Sequence, residues 1–230
     1  MDIEGARVLV PGASGAIGGA LAVRLHGLGA RLALAGRDPA SLARVAGACG
    51  GAPVRRFDAY DLEGCARTVP WAVAETGGLD AVVVCVGVAG FGPADAVEDT
   101  VAEHLLTVNA LAPVAFLRAA LTVVPPGGAL AAVTGVVVDA APAGMADYAA
   151  SKAALAAWLA AVRRERRRTG VAVLDIRLPH VESGFAARAV VGTPPTLPRG
   201  RTVTEAVDTI VEALVQPAPA SVTHGSHGPR

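Results

Sequence analysis

The sequence predicts an α/β fold in which a doubly wound parallel sheet is flanked by helices. Short apolar runs alternate with longer segments of helical spacing along most of the chain. One run, Leu79–Val86, is continuous and valine-rich, as expected for a strand buried on both faces. A glycine-rich segment separates the first apolar run from the first helical pattern. Such alternation indicates a parallel sheet with helices on both faces, because each crossover between parallel strands needs a helix.

The amino-terminal half provides three strands and two helices. Arg7–Pro11 is a compact apolar run, and Gly15–Leu28 carries apolar residues at helical spacing. Arg31–Ala35 reads as the second strand. Asp38–Ala48 begins with an Asp-Pro pair, which is typical of a helix start. Val54–Phe57 is a weaker third strand.

The carboxy-terminal half repeats the alternation. Leu79–Val86 is followed by a long helical pattern over Thr100–Val123 and by a strand at Gly128–Thr134. Met145–Thr169 is helical, and Val171–Leu178 is the next strand. We therefore expect one domain over residues 1–215. Residues 216–230 should form a mobile tail, in which a brief Ser-Val-Thr could add an edge strand.

Composition excludes several classes of protein. The chain has 230 residues, 53% of them hydrophobic and 17% charged, with 20 basic and 20 acidic residues. This balance argues against nucleic-acid binding and against disorder. The arginine-rich run at 163–168 is better explained as a solvated helix end than as a nucleic-acid site. Nineteen of the basic residues are arginine and one is Lys152, and the single asparagine is Asn109.

The cysteines and the apolar runs indicate the cellular compartment in which the protein is expected. Cys49, Cys65 and Cys85 have no metal or redox spacing, so we expect small buried side chains and no metal site. No signal-peptide pattern and no apolar run of about 20 residues is present. We expect a cytoplasmic protein without a membrane partner.

The segment Pro11–Gly19, with the sequence PGASGAIGG, predicts a phosphate-binding loop. Gly12, Gly15 and Gly18 would let the backbone turn sharply and approach a pyrophosphate. The helix starting near Ala16 would direct its first amides at that anion. The position between strand and helix makes the motif specific.

Two positions address the choice of dinucleotide. The second strand ends at Gly36, where an acidic residue usually binds the adenosine ribose, and Arg37 follows. An arginine there can bind a 2′-phosphate bidentately, so we expect NADP(H) rather than NAD(H). The alternative is a solvated surface arginine. Asp58, at the end of the third strand, is placed to accept a hydrogen bond from the adenine amino group.

Tyr148 and Lys152 are spaced i, i+4 near the start of a helix and so share one face. A cation beside a phenol should lower the pKa of Tyr148 toward the working range. Tyr148 could then donate a proton to a carbonyl or accept one from an alcohol. By itself such a pair is common, but together with the glycine loop and Asn109 it is specific.

These motifs together resemble the short-chain dehydrogenase/reductase family over residues 5–215. The matching pieces are GASGAIG at Gly12–Gly18, the Asp58 position, a strand ending in Gly87, Asn109, YAASK at Tyr148–Lys152, and RLPHVESG at Arg177–Gly184. The resemblance implies a Rossmann fold, hydride transfer with NAD(P)(H), and a homodimer or homotetramer. It also implies a site in which Tyr148 is the acid/base, while Lys152 holds the nicotinamide ribose and tunes Tyr148. Asn109 would support a relay water, and Ser183 would bind the carboxamide. The remaining residues implied to contact the dinucleotide are Gly12, Ser14, Gly15, Ala16, Ile17, Gly18, Arg37, Asp58 and Gly87.

The sequence departs from the family's pattern at four places. Pro11 replaces the family's threonine, the residues 84–86 (Val-Cys-Val) replace Asn-Asn-Ala, and the residues 178–179 (Leu-Pro) replace Pro-Gly. The fourth touches catalysis, because Gly135 stands 13 residues before Tyr148, where the family has its substrate-orienting serine. Its neighbour Thr134 is a candidate replacement, but adjacent strand residues point to opposite faces, so its hydroxyl reaches the substrate only if the strand end distorts.

The segment 184–201 is the expected substrate lid. The residues near it suggest an apolar pocket, namely Phe91, Val136, Val138, Ala141 and Phe185. His180 and Glu182 are the ionisable groups beside the site, and we interpret them as structural or solvated.

The leading hypothesis is an NADP(H)-dependent oxidoreductase that interconverts a ketone and a secondary alcohol, with a small-molecule substrate. The alternative is a non-redox protein on the same fold, either a cofactor-binding sensor or an isomerase or cyclase. Gly135 and the altered residues 84–86 motivate this alternative. Losing one donor to the substrate typically costs about 10²–10³ in rate, which would weaken redox activity rather than abolish it.

Overall fold

Within the residues that the structure describes, seven parallel strands form a single sheet in the order β3-β2-β1-β4-β5-β6-β7. The computed structural model describes residues 1–196, 198–216 and 222–223. The strands are β1 (Arg7–Pro11), β2 (Arg31–Gly36), β3 (Val54–Arg56), β4 (Ala81–Val84), β5 (Ala129–Val133), β6 (Ala172–Arg177) and β7 (Val222–Thr223). The doubly wound parallel sheet predicted from the sequence is confirmed.

Helices connect the strands and cover both faces of the sheet. They are α1 (Ala16–Gly27), α2 (Pro39–Ala48), α3 (Leu62–Thr76), α4 (Asp99–Leu106), α5 (Ala112–Ala120), α6 (Val137–Ala140), α7 (Ala146–Arg166) and α8 (Val203–Val215). A π-helical turn, Thr107–Leu111, joins α4 to α5, and a 3₁₀ turn lies at Ala186–Arg188.

Strict alternation along the strands builds two cores, one on each face. Val8 and Val10 of β1 pack in the core under α1, α2 and α8, whereas Leu9 packs in the core under α3, α5 and α7. The same alternation holds in β4, where Val83 faces the first core and Val82 the second. Both faces are therefore buried, which explains the continuous apolar character of the strands.

The strand order reverses between β1 and β4, and this reversal places the ligand-binding edge. β2 and β3 lie on one side of β1, while β4, β5 and β6 lie on the other. In sheets of this kind ligands bind at the carboxyl ends of the strands beside the reversal. The glycine loop after β1 and the start of α7 after β5 both lie at that edge.

The structure differs from the sequence expectation in the helices. The pattern over Thr100–Val123 is divided into α4, a π-helical turn and α5. Two helices, α3 and α8, were not among the expected elements. Gly64 and Pro70 obscure the helical pattern of α3, which is nevertheless fixed by the Asp61 side chain at its start and left-handed Gly77 at its end.

The expected edge strand is present as β7, which pairs with β6. The expected mobile tail lies largely outside the described residues. The helical stretch Asp99–Ala120 is long and apolar enough to cross a membrane by length and composition, but 56% of its most apolar window is buried inside the protein. This burial is typical of a core helix.

Candidate active site

The glycine loop after β1 has the close packing that a phosphate loop requires. Gly12 has a φ of +95°, and a Cβ there would lie 2.6 Å from the carbonyl carbon of Cys85. A Cβ at Gly18 would overlap the carbonyl oxygen of Gly12. Both positions therefore need glycine, since backbone cannot move aside for a side chain.

Helix α1 presents an uncapped amino terminus beside this loop. Gly15 is the N-cap, no side chain caps the helix, and no acidic residue lies in the first turn. The amides at Ala16, Ile17 and Gly18 thus meet no carboxylate from their own helix, and the helix dipole favours an anion there. These residues fit the pyrophosphate of a dinucleotide.

The end of β2 cannot carry an acidic side chain without rearrangement. A Cβ at Gly36 would lie 2.6 Å from Oγ and 2.8 Å from Cβ of Ser14. Ser14 Oγ also accepts a hydrogen bond of 3.2 Å from the main-chain N–H of Arg37, whose side chain is exposed. Ser14 and Arg37 are thus adjacent at this edge. Asp58 lies at the end of the next strand with an exposed carboxylate, which accepts a 3.0 Å bond from the N–H of Tyr60.

Lys152 is the charged group at the centre of the site. It is 4% exposed, and its Nζ donates a 3.2 Å hydrogen bond to the carbonyl oxygen of Val133 at the end of β5. A Cβ at Gly87 would lie 2.8 Å from this Nζ and 3.1 Å from Oδ1 of Asn109, so a larger residue would crowd the ammonium. Gly87, Asn109 and Lys152 therefore converge, as the sequence predicts.

Burial controls the protonation of Lys152. It lowers the pKa of the ammonium to about 8, an effect that the nearby Cys85 and the carboxylate of Asp175 oppose. Lys152 is consequently charged at neutral pH and neutral in moderately alkaline solution.

Asn109 lies in the π-helical turn and is fully buried. Its Nδ2 donates to the carbonyl oxygen of Val88 and to Oγ of Ser151, each at 2.9 Å, and its Oδ1 accepts from the N–H of Val88 at 2.9 Å. Ser151 in turn donates to the carbonyl oxygen of Tyr148 at 2.7 Å. Asn109 thus ties the loop after β4 to α7, and a relay water would bind an oxygen of Asn109 rather than its amide hydrogens.

Tyr148 differs from the sequence expectation in its protonation. Burial raises the pKa of its phenol to about 12, and no lowering by Lys152 offsets this. The expectation of a lowered pKa is therefore wrong for this structure, in which the ammonium is directed to Val133 instead. The Tyr148 ring lies 6.3 Å from that of Phe185 in the lid, centroid to centroid.

The contacts of Thr134 do not fit the catalytic role expected from the sequence. Its side chain is buried, with 1% of the residue exposed, and its hydroxyl donates a 2.5 Å hydrogen bond to Oδ1 of Asp175 on β6. The strand end does not turn this hydroxyl toward the substrate side. The following residue, Gly135, has a φ of +102°, a conformation that a serine would adopt only with strain.

Sequence reasoning missed an ionic cluster behind Lys152. Asp175 is 4% exposed and accepts a 2.9 Å hydrogen bond from Nε of Arg177, which also pairs with Asp139 in α6. The signal was available, because Asp175 interrupts an otherwise apolar strand and a buried carboxylate needs partners. The cluster connects β5, β6 and the segment after Gly135.

The lid packs over an apolar pocket. Phe185, Ala186 and Ala189 of the lid pack against a buried cluster formed by Ala89, Phe91, Val137, Met145 and Ala149. Val137 joins this cluster in place of the expected Val136 and Val138. Main-chain hydrogen bonds also close the lid, from Val190 to Ala89 at 2.8 Å and from Phe91 to Val191 at 3.0 Å.

Ser183, Glu182 and His180 lie where β6 leads into the lid. Ser183 is half-buried, and its N–H donates to the carbonyl oxygen of Val181 at 2.7 Å. Glu182 accepts a 2.8 Å hydrogen bond from the N–H of Gly200 and lies 3.5 Å from His180. Glu182 therefore anchors the far end of the lid, in agreement with its interpretation as structural.

A family model described as short chain dehydrogenase matches residues 6–191. The chain belongs to the short-chain dehydrogenase/reductase family. No curated protein gives a significant sequence match to this family member.

Solved structures agree with the family assignment. A Thermus thermophilus protein provisionally described as a short-chain oxidoreductase is 32% identical, with a TM-score of 0.78 over 94% of this chain and 99% of its own. A short-chain dehydrogenase/reductase from Serratia marcescens shares the fold with a TM-score of 0.83 at 21% identity, covering 96% of both chains. A short chain dehydrogenase from Burkholderia cenocepacia, solved in complex with NADP, gives a TM-score of 0.83 at 23% identity over 93% of this chain and 92% of its own.

Proposed function

We propose that this short-chain dehydrogenase/reductase is an NADP(H)-dependent oxidoreductase that interconverts a ketone and a secondary alcohol. The observation that carries the proposal is the convergence of Lys152 with Gly87 and Asn109 one helical turn from Tyr148. This group lies at the same sheet edge as the glycine loop. A dinucleotide bound on that loop would reach it along the carboxyl ends of β1 and β4.

The end of β2 supports NADP(H) over NAD(H). The strand ends in Gly36, so no carboxylate at this position repels a 2′-phosphate, and a larger residue there would displace the side chain of Ser14. Arg37 and Ser14 offer a guanidinium and a hydroxyl to that phosphate. The Burkholderia relative was solved with NADP. Asp58 would hold the adenine amino group, and Ser183 the carboxamide of the nicotinamide.

The chain's own residues would divide the work as follows. A bound reduced nicotinamide supplies the hydride that the carbonyl carbon receives. Tyr148 donates its phenolic proton to the carbonyl oxygen, since a pKa of about 12 keeps it protonated at neutral pH. Lys152, charged below about pH 8, would hold the ribose hydroxyls. To stabilise the phenolate left behind, its ammonium would have to turn from the carbonyl oxygen of Val133 toward Tyr148. Solvent then returns the proton to Tyr148, and the alcohol oxidation is the reverse.

The residues under the lid favour an apolar ketone. A crevice beside the lid is lined by glycines, apolar side chains and Asp147, and in this structure it is too narrow to hold a ketone. The buried cluster of Phe91, Val137 and Met145 continues this apolar surface. Apolar contact would orient the substrate, and the polar atoms near Tyr148 would select the carbonyl.

Replacing Tyr148 tests the proposal. Tyr148→Phe should lower kcat for NADPH-dependent ketone reduction by about 10²–10⁴, because it removes the general acid. The measurement is NADPH oxidation with a panel of cyclic, aliphatic and aryl ketones. The chain has two tyrosines, so Tyr60→Phe is a matched control. Tyr60 is 62% exposed and bonded to His104, and its loss should leave kcat unchanged. Unchanged turnover in Tyr148→Phe would exclude the proposed acid.

A non-redox function is the second candidate. It is favoured by Gly135 in place of the serine and by the engagement of Thr134 with Asp175. A sensor, isomerase or cyclase of this kind would bind NADPH tightly but consume none of it with any ketone of the panel. That result would exclude the oxidoreductase in favour of this candidate.

A further inference from the structure

The main-chain N–H groups on either side of Gly135 both bond to residues at the end of β6. The N–H of Thr134 donates to Ile176 at 3.0 Å and the N–H of Val136 donates to Leu178 at 2.9 Å, so both face β6. The N–H groups of an extended strand alternate between its two edges. Gly135 lies beyond the end of β5 and is not extended, but the peptide unit that carries its N–H is shared with Thr134, whose own N–H bonds to Ile176. We therefore expect the N–H of Gly135 to face the opposite edge, where β4 ends.

Lys152 marks the same edge. The carbonyl group of Val133 lies two residues before Gly135 and so faces the same side, and it accepts the hydrogen bond from Nζ of Lys152. Gly135 is half-buried, and within the part of the chain that the structure describes its N–H has no hydrogen-bond acceptor. A half-buried main-chain donor without a protein acceptor is open to a ligand atom or to a water molecule.

We propose that the N–H of Gly135 donates a hydrogen bond to the substrate's carbonyl oxygen, as the second donor beside Tyr148. The inference rests on the proposed ketone reduction. A fixed main-chain donor stabilises the negative charge that develops on that oxygen as the carbon is reduced. The geometry also explains the glycine, because a φ of +102° strains any residue with a side chain. A serine hydroxyl and the N–H of a glycine in this conformation are thus two alternative donors to the substrate's carbonyl oxygen.

Selective isotope labelling makes the proposal observable. Protein labelled with ¹³C at threonine carbonyls and ¹⁵N at glycine gives amide signals from Thr-Gly pairs alone, and the sequence has three, ending at Gly77, Gly135 and Gly170. Gly77 and Gly170 precede β4 and β6 and so lie at the far edge of the sheet, where they serve as internal controls. Gly135→Ala identifies the signal of interest.

The titration uses cyclohexanone added to the protein with saturating NADP⁺, a pair that cannot react. We expect the Gly135 proton to move downfield on ketone binding while Gly77 and Gly170 stay in place. If NADPH assays show that cyclohexanone is a substrate and the Gly135 signal does not move, the inference is wrong and the proposed function stands. If wild-type protein reduces no ketone, the proposed function fails, and the inference fails with it.

Substitution provides a second readout. Gly135→Ser and Gly135→Ala should lower kcat to a similar extent, by about 10-fold or more, because both shift the strained backbone that aims the N–H. NADPH affinity should change little. A several-fold gain of kcat in Gly135→Ser over wild type would show instead that the site lacks a hydroxyl, and would overturn the proposal. Because the labelling experiment uses the wild-type fold, it decides the question even if these variants fold poorly.

Discussion

Burial makes Lys152 titrate within a range that an assay can reach. An exposed lysine would keep its charge until far above pH 9. Here the loss of hydration brings the pKa to about 8, and the carboxylate of Asp175 prevents a larger decrease. The charge on Lys152 therefore depends on a residue that touches neither cofactor nor substrate.

The pH dependence of ketone reduction should show the loss of charge on Lys152. Tyr148, with a pKa of about 12, stays protonated across the usual range, so Lys152 sets the alkaline limb. We expect kcat/KM to be constant below about pH 8 and to fall about tenfold per unit above it, because the ammonium is lost there. A profile from pH 6 to 10 is the measurement.

Asp175→Asn should move this break to lower pH. The substitution keeps an acceptor for Thr134 but removes the charge that raises the pKa of Lys152. Asp139→Asn is the matched control, since it removes the same charge from a half-exposed residue bonded to Arg177 and should leave the break in place. An unchanged break in Asp175→Asn would contradict the assigned coupling.

Site residues could be predicted from the sequence where they belong to a residue type that is rare in this chain. The one lysine and the one asparagine stand out against nineteen arginines, and both lie at the site. The direction of the Thr134 hydroxyl could not be predicted, because it depends on Asp175, which is 41 positions away in sequence and adjacent only through strand pairing. The raised pKa of Tyr148 likewise follows from burial, which spacing along one helix does not reveal.

Among the elements, the π-helical turn determines how α7 meets the loop after β4. The wider turn places Asn109 inside, where its amide satisfies both main-chain groups of Val88 and the hydroxyl of Ser151. Such turns inside α-helices frequently occur at functional sites. The periodicity of Thr100–Val123 predicted a helix correctly but could not locate this turn, because one extra residue barely alters the apolar pattern.

Asn109→Ala should destabilise the protein by about 3 kcal/mol, since it removes three hydrogen bonds of about 1 kcal/mol each and leaves the polar groups of Val88 without partners. Ser151→Ala is the graded control. It removes the bonds to Asn109 and Tyr148 while sparing Val88, and should cost less. Urea unfolding measures both, and equal losses would show that the Val88 contacts contribute nothing.

At the scale of the whole molecule, the preferred cofactor should be the one that raises the thermal stability of the protein more. A ligand that binds only the folded state adds about 2.7 kcal/mol at 100 times its Kd, which for a chain of this size raises Tm by on the order of 5–10 °C. We expect this rise with NADPH and a smaller one with NADH at equal concentration. Arg37→Ala should reduce the NADPH effect to that of NADH. An equal rise with both nucleotides in the wild-type protein would contradict the assigned preference.

The overall architecture was the most predictable level. Strand-helix alternation and a continuous valine run are properties of the chain as a whole, and they survive errors in single elements such as the missed α3 and α8. The parallel sheet with helices on both faces followed from the alternation of strands and helices, whereas the order of the strands in the sheet was not predicted.

The hydrogen bonds that close the lid, between Val190 and Ala89 and between Phe91 and Val191, join main-chain atoms. No side-chain replacement at these positions removes them, except a proline at a donating residue. The lid can therefore keep its closed geometry while the side chains beneath it change in size and polarity. Replacing the side chains of the pocket should therefore change which substrates bind without removing the hydrogen bonds that hold this segment over it.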